Sequence, residues 1–486
     1  MALSQDQVRD NPWWSDPAAV GTDPLLRRLE ERPVAFFHPI PFELDIDAAY
    51  TLRGPRQVGK STLLKRLVKH LIVDRRVPTR QIMYFDVEGG GIRTAHELQS
   101  SVAEFISFAR SATPSGRLYV LLDEVTGVPA WGSAIRVLHG RGDLEGVTSI
   151  ATGSHARDLR RGGERAPGRH GEVEYWDWVM MPLCFRDYIG MHAPQTAGAL
   201  PAIDLFDPIT AHEAAVEISL HGAIIESLFE RYLRTGGYPH AIGEETANGI
   251  IPERVFRLYL QAFTGEMTRA GRREEYFRET VAWAAHHRLG REFNWNSLSG
   301  ETAIGTGNTA REYLEDAEAA FVWHIYQRVK TPEAPAPAPR SPKKLYPVDP
   351  FTWHVLASWI SGSRDAWGDT LARVSDPAQR GDLVESIVAD HLRRWLGRFS
   401  LYYRAPTTKE EIDFVLFEGS RRGLVEVKQK RQLKNRDWKA LVKNGGGILA
   451  SVDQLRLMDR NRVAIIPVSH LLAGLAAPLT LFPSRD

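Results

Sequence analysis

The sequence has little cysteine, almost no net charge and no long apolar run. Cys184 is the only cysteine in 486 residues, so no internal disulfide can form and a reducing compartment is expected. With 61 Lys and Arg against 60 Asp and Glu, the net charge of +1 selects neither nucleic acid nor a membrane as partner. Apolar runs stay below the roughly 18 residues that a membrane span needs. The first residues lack the basic start and apolar centre of a secretion signal. These absences predict a cytoplasmic protein that does not contact a membrane.

What the sequence does contain, at residues 54–61, is the spacing of a phosphate-binding loop. Its two glycines let the backbone turn N–H groups around a pyrophosphate. Lys60 reaches the β- and γ-phosphates, and the Ser61 hydroxyl ligates Mg²⁺. A strand-like run precedes the loop, and leucines and valines at helical spacing follow it. The residues expected to bind ATP and its Mg²⁺ are Gly54, Gln57, Val58, Gly59, Lys60, Ser61, Thr62 and Asp123.

Strand and helix patterns alternate beyond the loop. The runs 82–85, 119–122 and 148–151 are short and apolar, as strands buried on both faces are. A helical pattern between the first two opens with a capping box at Thr94 and Glu97. This alternation predicts a parallel α/β sheet.

Two acids end the second of these apolar runs. In a parallel sheet this places Asp123 and Glu124 at the carboxyl edge, where such sheets bind ligands. We expect Asp123 to hold the Mg²⁺ shell and Glu124 to orient and deprotonate the attacking water. Ser154, which ends the next run, is expected to contact the γ-phosphate or the water. An acidic strand end that faces solvent is the alternative interpretation.

An arginine-rich segment follows Ser154. One of its arginines is expected to act across a subunit boundary on the γ-phosphate, as an arginine finger does, and we select Arg169. This hypothesis predicts a homo-oligomeric ring, with a hexamer as one option. Ordinary surface charge is the alternative for most of these side chains, which are Arg157, Arg160, Arg161, Arg165 and Arg169.

Seven short motifs keep a fixed order along the chain. They are residues 53–62, 121–124, 151–154, 167–169, 181–188, 235–239 and 344–349. In this order they resemble the prokaryotic AAA ATPases that carry a C-terminal domain of unassigned function. The resemblance implies a P-loop AAA-type ATPase core, a winged helix and a restriction-endonuclease-like C-terminal domain.

The predicted fold class is therefore α/β, with a helical and winged-helix middle. In the winged helix, residues 295–303 would form the first helix, Thr309 would cap the second, and residues 321–325 would start the wing. Asn11-Pro-Trp-Trp14 would either stack on an adenine or a neighbouring subunit, or pack on its own domain, which we favour. The predicted divisions are an N-terminal arm (1–46), the ATPase domain (47–200), a helical domain (201–275), a winged-helix-like domain with a Pro/Ala-rich insertion (276–350) and a nuclease-like domain (351–486).

A second group of acids lies near the C-terminus. Residues 411–417 and 424–428 read as a hairpin, and placing Phe417 opposite Leu424 brings three charged side chains onto one face. They resemble the site of PD-(D/E)XK nucleases, where two carboxylates hold a divalent metal and a lysine helps activate water. An incidental acidic hairpin or a fold remnant is the alternative. The residues predicted for this metal site are Glu385, Asp413, Glu426 and Lys428.

Residues 420–443 carry nine Lys or Arg and only two acids, which suits phosphate contacts or a solvated basic face equally. The second helix of the winged-helix pattern has four acids against Arg311, so its face would repel phosphates. The helix would then either dock on protein or contact DNA only through its ends and the wing. The leading hypothesis is an ATPase coupled to binding or remodelling of branched or duplex DNA, such as Holliday junctions, in repair or recombination. The alternatives are an ATP-regulated, metal-dependent nuclease in phage defence, and an ATP-driven conformational switch acting on proteins.

Overall fold

The computed structural model describes residues 3–154, 173–287, 289–338, 340–396, 401–408, 410–476 and 478–484. The chain divides into two compact units. The first unit comprises Met1–Met181 and Leu481–Ser484, and the second comprises Pro182–Thr480. Among the described residues, no helix is both long and apolar enough to cross a membrane.

The described strands fall into two sheets, one in each unit. In chain order they are β1 Ala48–Arg53, β2 Ile82–Asp86, β3 Leu118–Asp123, β4 Val147–Gly153, β5 Asp177–Met180, β6 Trp323–Val329, β7 Lys343–Pro347, β8 Leu401–Arg404, β9 Glu411–Glu418, β10 Arg421–Val427, β11 Gly447–Ser451, β12 Arg456–Met458, β13 Val463–Pro467 and β14 Leu481–Pro483.

The first sheet has the order β14-β5-β1-β4-β3-β2. All its pairings are parallel except that of β14 with β5. Nearly every residue of β2, β3 and β4 is buried, so the three predicted strands and the parallel α/β sheet are confirmed. The predicted capping box also forms, with Thr94 accepting from the Glu97 backbone N–H. The described α-helices of this unit are Gln5–Asp10, Pro24–Glu30, Lys60–Lys69, Ala95–Ala112 and Trp131–Gly140.

The N-terminal segment packs on its own unit. Trp13 is 1 % exposed. The indole N–H groups of Trp13 and Trp14 both donate to the carbonyl of Ile82, at 3.3 and 2.8 Å. Trp14 also stacks on Phe105, with ring centroids 5.9 Å apart. The preferred interpretation of the tryptophan pair as packing residues is therefore confirmed.

The second unit surrounds a mixed sheet of order β12-β13-β11-β10-β9-β8-β6-β7. Three of its pairs are parallel, β6 with β8, β10 with β11 and β11 with β13, and the others are antiparallel. The described helices are Phe185–His192, Pro194–Ala199, Pro208–Ser219, Gly222–Thr235, Pro239–Asn248, Glu253–Arg269, Glu274–His287, Trp295–Gly300, Gly307–Ala319, Pro350–Ser361, Ala366–Ser375, Pro377–Leu396, Lys439–Lys443 and Val468–Ala473.

The winged-helix prediction is confirmed only for its two helices. They span Trp295–Gly300 and Gly307–Ala319, and Thr306 caps the second, not Thr309 as predicted. Thr306 takes this role because its hydroxyl accepts from the Thr309 backbone N–H. The strand expected to start a wing is β6, and it lies inside the large sheet beside β8. Its apolar residues need cover on both faces, which an isolated wing does not provide.

The predicted hairpin forms with a different register. Phe417 pairs with Arg422, and Leu424 pairs with Val415, so the predicted pair is wrong by two residues. The turn is shorter than expected because Gly419, at φ +56°, supports a two-residue connection between β9 and β10. A shift of two leaves every side chain on its predicted face, so the charged residues still lie together.

Three of the ordered motifs meet inside the second unit. A Cβ atom on Gly236 would lie 1.9 Å from Asp349, and one on Gly237 would lie 2.1 Å from the Leu183 carbonyl oxygen. Asp349 accepts from the backbone N–H groups of Gly237 and Phe351, at 2.7 and 2.8 Å. These contacts therefore fix the start of the helix Pro350–Ser361, where Asp349 is the N-cap residue.

Candidate functional site

The phosphate-binding loop lies between β1 and the helix Lys60–Lys69. Gly59 has φ +109° and Gln57 has φ +67°, so the backbone makes the left-handed turns that direct its N–H groups to one side. A Cβ on Gly54 would lie 1.9 Å from the Met180 carbonyl oxygen, so only glycine fits there. Val58 is buried beneath the loop, while Ser61 and Thr62 occupy the first turn of the helix.

Lys60 is folded into this loop. Its Nζ donates to the carbonyl oxygens of Gly54 and Pro55, at 2.9 and 3.0 Å. It also lies 3.7 Å from Glu124 Oε1, and the lysine is 4 % exposed. The ammonium group is therefore held at the loop, next to the predicted water-activating acid.

Hydroxyl groups surround the Asp123 carboxylate. Tyr84 donates to Oδ2 at 2.7 Å, Thr152 donates to Oδ1, and the Ser61 hydroxyl forms a further hydrogen bond. Burial raises the pKa of Asp123 above its ordinary value, although these hydroxyls act to lower it. These donors are neutral hydroxyls, so they orient the carboxylate without forming an ion pair with it.

The backbone of Glu124 has an unusual conformation and a fixed hydrogen bond. Its φ of +52° is unusual for a non-glycine residue, and its N–H donates to the Thr152 hydroxyl at 3.0 Å. Ser154 Oγ lies 3.4 Å from Glu124 Oε2. This strained end of β3 brings the carboxylate within 3.7 Å of the Lys60 ammonium.

This chemistry fits ATP and Mg²⁺. The turned loop supplies backbone N–H groups and an ammonium for phosphates, and Ser61 and Asp123 supply the oxygens that Mg²⁺ prefers. The structure brings together the predicted Lys60, Ser61, Asp123, Glu124 and Ser154. The predicted finger Arg169 and its neighbouring arginines, at residues 157–165, lie outside the described residues.

A second candidate site is a cavity of about 570 Å³ in the second unit. Asp413 and Glu426 line this cavity, and the carboxylate of each accepts a hydrogen bond from the backbone of the strand that carries the other. The Asp413 backbone N–H donates to Glu426 at 3.1 Å, and the Val427 N–H donates to Asp413 at 2.8 Å. Lys428 donates to Glu426 and lies 3.9 Å from Asp413. Glu385 lines the same cavity, so all four predicted residues are gathered.

Lys344 is a member of this site that our sequence reasoning missed. It is 2 % exposed, and its Nζ lies 2.5 Å from Glu411, 3.5 Å from Glu385 and 3.6 Å from Asp413. Burial alone would lower its pKa, but the charges around it raise the pKa well above the ordinary value. The only available signal was its place in the motif 344–349, because its contacts depend on how the sheet folds.

Two acids of the cavity have raised pKa values. Burial, reinforced by the charge of Asp413, raises the pKa of Glu385 to about 7 and that of Glu426 to about 8. Glu385 also accepts from the Tyr346 hydroxyl at 2.6 Å. A Cβ on Gly290, whose φ is +72°, would lie 2.7 Å from Glu385, so glycine leaves room for this carboxyl.

Metal binding in the cavity stays a prediction. Across the described ranges, no group of three or more His, Cys, Asp or Glu residues is placed to hold a metal ion. The carboxylates face lysine ammonium groups instead, which satisfy their charge in this conformation.

Five of the nine basic residues at 420–443 have acidic partners. Arg421 pairs with Asp204, Arg422 with Glu333, Lys428 with Glu426, Lys430 with Asp437 and Lys443 with Glu410. The other four show no ion pair within the part of the chain that the structure describes, and they are Arg431, Lys434, Arg436 and Lys439. Arg436 and Lys439 line the cavity, so unpaired positive charge lies at its edge.

Two family models match parts of this chain. Residues 47–189 match a family described as an AAA domain, and residues 380–466 match a domain of unknown function, DUF4143. The first match confirms the predicted P-loop AAA-type ATPase core. The second confirms neither a nuclease-like domain nor its chemistry. No curated protein matches the chain.

Weak likenesses to solved structures also occur. The Aeropyrum pernix ORC1 protein in complex with DNA is 11 % identical over 76 % of this chain and 95 % of that one, with a TM-score of 0.29. The ADP form of ORC2 from the same organism is 11 % identical over 77 % and 97 %, with a TM-score of 0.29. C. elegans PCH-2 is 17 % identical over 42 % and 50 %, with a TM-score of 0.22. Likenesses at this level carry no argument about fold or function.

Proposed function

We propose that this protein hydrolyses Mg-ATP in its first unit and couples the hydrolysis to DNA binding at its second. The ATPase part rests on one observation. Lys60, Asp123 and Glu124 meet at one sheet edge, with Asp123 fixed by neutral hydroxyls and Glu124 turned toward Lys60. Phosphate binding and water activation need these groups side by side.

Each residue has a distinct role in this proposal. The loop N–H groups and Lys60 bind the phosphates, and Ser61 and Asp123 hold Mg²⁺. When bound, Mg²⁺ neutralises phosphate charge. Glu124 orients the attacking water and accepts its proton, and Ser154 holds the Glu124 carboxylate in that orientation.

Nucleotide binding and turnover test the ATPase part separately. Lys60→Ala should abolish binding of a fluorescent ATP analogue. Glu124→Gln should bind it normally but turn ATP over at least about 100-fold more slowly, because only the proton acceptor is lost. Glu145→Gln, an exposed acid of the same unit, is the control. Wild-type turnover equal to that of Glu124→Gln would rule the assignment out.

The DNA part is supported by four basic residues that show no ion pair among the described residues, two of which, Arg436 and Lys439, line the cavity. Reversing Arg431, Lys434, Arg436 and Lys439 to Glu should weaken duplex and four-way DNA binding, and it should reduce the salt dependence of binding. Arg421, Arg422 and Lys443 are matched controls, because each already pairs with an acid. Unchanged affinity after the fourfold reversal would identify the cluster as a solvated basic face.

DNA-stimulated ATP turnover tests the coupling itself. Forked, four-way, duplex and single-stranded DNA should each be compared with no DNA, and one or more should raise the turnover rate of the wild type. If none does, the alternative of an ATP-driven switch on protein partners is favoured. The acidic helix Gly307–Ala319, whose Glu312 and Asp316 pair with Arg272, suits such a partner better than DNA.

A second candidate is metal-dependent DNA cleavage. It is favoured by the gathering of Asp413, Glu426, Lys428 and Glu385 around one cavity. Incubation of labelled DNA with Mn²⁺ or Mg²⁺, with and without ATP, tests it. Cleavage by wild type that Asp413→Ala abolishes would establish a nuclease, and no cleavage under any condition would remove this candidate.

The predicted ring assembly is also a proposal. Its basis is the arginine-rich sequence after Ser154, which would supply a finger to a neighbouring copy. Mixing Arg169→Ala with Glu124→Gln should restore some turnover at mixed interfaces. A fully active monomer by light scattering would contradict the proposal.

A further inference from the structure

Strand β2 lies at the edge of the first sheet, and the N-terminal segment occupies part of that edge. The Asn11 side chain reproduces strand pairing there. Its amide N–H donates to the Tyr84 carbonyl at 2.7 Å, and its carbonyl accepts from the Tyr84 N–H at 2.7 Å. Asn11 is itself buried and bonded to the Gln7 carbonyl at 2.7 Å. Both backbone polar groups of Tyr84 are therefore bonded to Asn11.

The Tyr84 ring is held as firmly as its backbone. Lys65, on the helix that follows the phosphate-binding loop, places its Nζ 3.6 Å from the ring centroid. Lys65 is buried and lies 3.4 Å from Asp23, so the ammonium is anchored from the other side. A cation at this distance from an aromatic face attracts the ring and limits its rotation.

The fixed ring ends in a hydroxyl that donates to Asp123 Oδ2 at 2.7 Å. The other oxygen, Oδ1, accepts from Thr152. Because each oxygen has its own donor from a different strand, the plane of the carboxylate is set before any ligand binds.

We propose that Tyr84 is a positioning residue for magnesium binding by Asp123, and that Asn11 and Lys65 hold Tyr84 for this task. The proposal rests on the ATPase function proposed above. It makes the N-terminal segment part of the machinery of the nucleotide site, although none of its described side chains bonds to the phosphate-binding loop. Removing the Tyr84 hydroxyl should leave nucleotide binding intact and weaken the response to Mg²⁺.

The test measures ATP turnover by the full chain against Mg²⁺ concentration at saturating ATP. Tyr84→Phe keeps the ring and the backbone pairing, and it should raise the Mg²⁺ concentration for half-maximal turnover about tenfold, as loss of a hydrogen bond to a charged group does. Asn11→Ala should shift it in the same direction but less. Tyr119→Phe, a buried tyrosine four residues before Asp123, is the control and should shift nothing.

Binding of a fluorescent ADP analogue in EDTA completes the test. All variants should match wild type there, because the loop contacts are unchanged. Equal Mg²⁺ dependence in Tyr84→Phe and Tyr119→Phe would overturn the proposal. A loss of nucleotide binding in EDTA by Tyr84→Phe, as large as its loss of Mg²⁺ response, would also overturn it, because it would indicate a merely structural role. An inactive wild type would instead refute the ATPase function. If Lys60→Ala loses ATP turnover while Tyr84→Phe behaves like the wild type, only the inference about Tyr84 is refuted.

Discussion

Each unit brings acidic side chains together, but the groups that contact these acids differ between the two units. In the first unit, Asp123 is surrounded by the hydroxyls of Tyr84, Thr152 and Ser61. In the second, the acids around Asp413 and Glu426 face the ammonium groups of Lys344 and Lys428.

This difference separates a carboxylate prepared for a ligand from carboxylates that are already compensated. Neutral hydroxyls orient Asp123 without cancelling its charge, so a divalent cation meets a ready partner. An ammonium cancels the charge directly, so a cation entering the cavity must displace or outcompete a lysine. We therefore expect the first unit to respond to mutation mainly in activity and the second mainly in stability.

The largest expected effect is on stability, from Lys344→Met. It removes the buried ammonium that faces Glu411, Glu385 and Asp413, and it should lower the free energy of unfolding of the second unit by about 3–5 kcal/mol. Lys343→Met, the half-buried neighbour on β7, is the control and should cost far less. Urea denaturation followed by tryptophan fluorescence measures both. Equal midpoints for the two variants would show that Lys344 does not compensate the acids.

Asp123→Asn should show the opposite behaviour. Asparagine has the same shape and can remain among the hydroxyls, so the melting temperature should hardly change while ATP turnover falls about 100-fold. The matched change in the second unit, Asp413→Asn, should destabilise that unit because it leaves the lysines less compensated. Thermal melting beside a turnover assay measures the contrast. A large loss of stability in Asp123→Asn would remove the distinction between the units.

Stability should also depend on pH in the second unit. The folded pKa values of Glu385 and Glu426, about 7 and about 8, lie above those of exposed glutamates. The folded form thus binds more protons, and its stability is full at low pH and is lost as pH rises through these values. We expect the free energy of unfolding to fall between pH 5.5 and 8.5, by more than the roughly 1.4 kcal/mol that one pKa unit on one group is worth.

Glu426→Gln should make this pH profile flatter, whereas Glu418→Gln, exposed on the same hairpin, should leave it unchanged. Asp349, whose pKa burial raises to about 7, contributes with the same sign and should retain its share in both variants. Urea midpoints at the two pH values give the answer. A Glu426→Gln profile as steep as that of wild type would show that Glu426 is not protonated in the folded protein.

The smallest expected effect concerns Mn²⁺ binding in the cavity. Calorimetry on the full chain should detect Mn²⁺ binding by the wild type. The affinity of Asp413→Ala should be about tenfold lower, and that of the control Glu418→Ala should equal the wild-type affinity. The full chain is needed because β6 and β7 belong to the same sheet as β9 and β10, so residues 380–486 alone lack two of its strands. Equal affinity in all three proteins would leave the hairpin as a fold remnant.

The first unit was largely predictable because its signals are local. The loop spacing, the apolar strands and the acids at the end of β3 each lie within a few consecutive residues, and a parallel sheet brings the strand ends to one edge. The contact between Tyr84 and Asp123 was not predictable, because a hydroxyl at the middle of an apolar strand carries no signal of the neighbour it meets.

The second unit was less predictable because its site depends on distant pairings. The charged face of the hairpin followed from alternation, but its register did not, since the two-residue turn at Gly419 was read as a longer one. Lys344 and the strand expected to form a wing join the site and its sheet through pairings between segments far apart in sequence. Alternation along a strand identifies faces, and only the folded sheet shows which faces meet.

Strand β14 joins the sheet of the first unit only after the second unit has been synthesised. Leu481–Pro483 closes the edge beside β5, and Arg53 reaches Ser484 at 2.7 Å, yet the 299 residues of Pro182–Thr480 are translated in between. At ordinary translation rates the ribosome needs roughly 15–60 seconds to make them. For that time the edge of β5 that later pairs with β14 has no strand partner and is open to chaperones. Completion of the first sheet thus waits until the second unit has been synthesised.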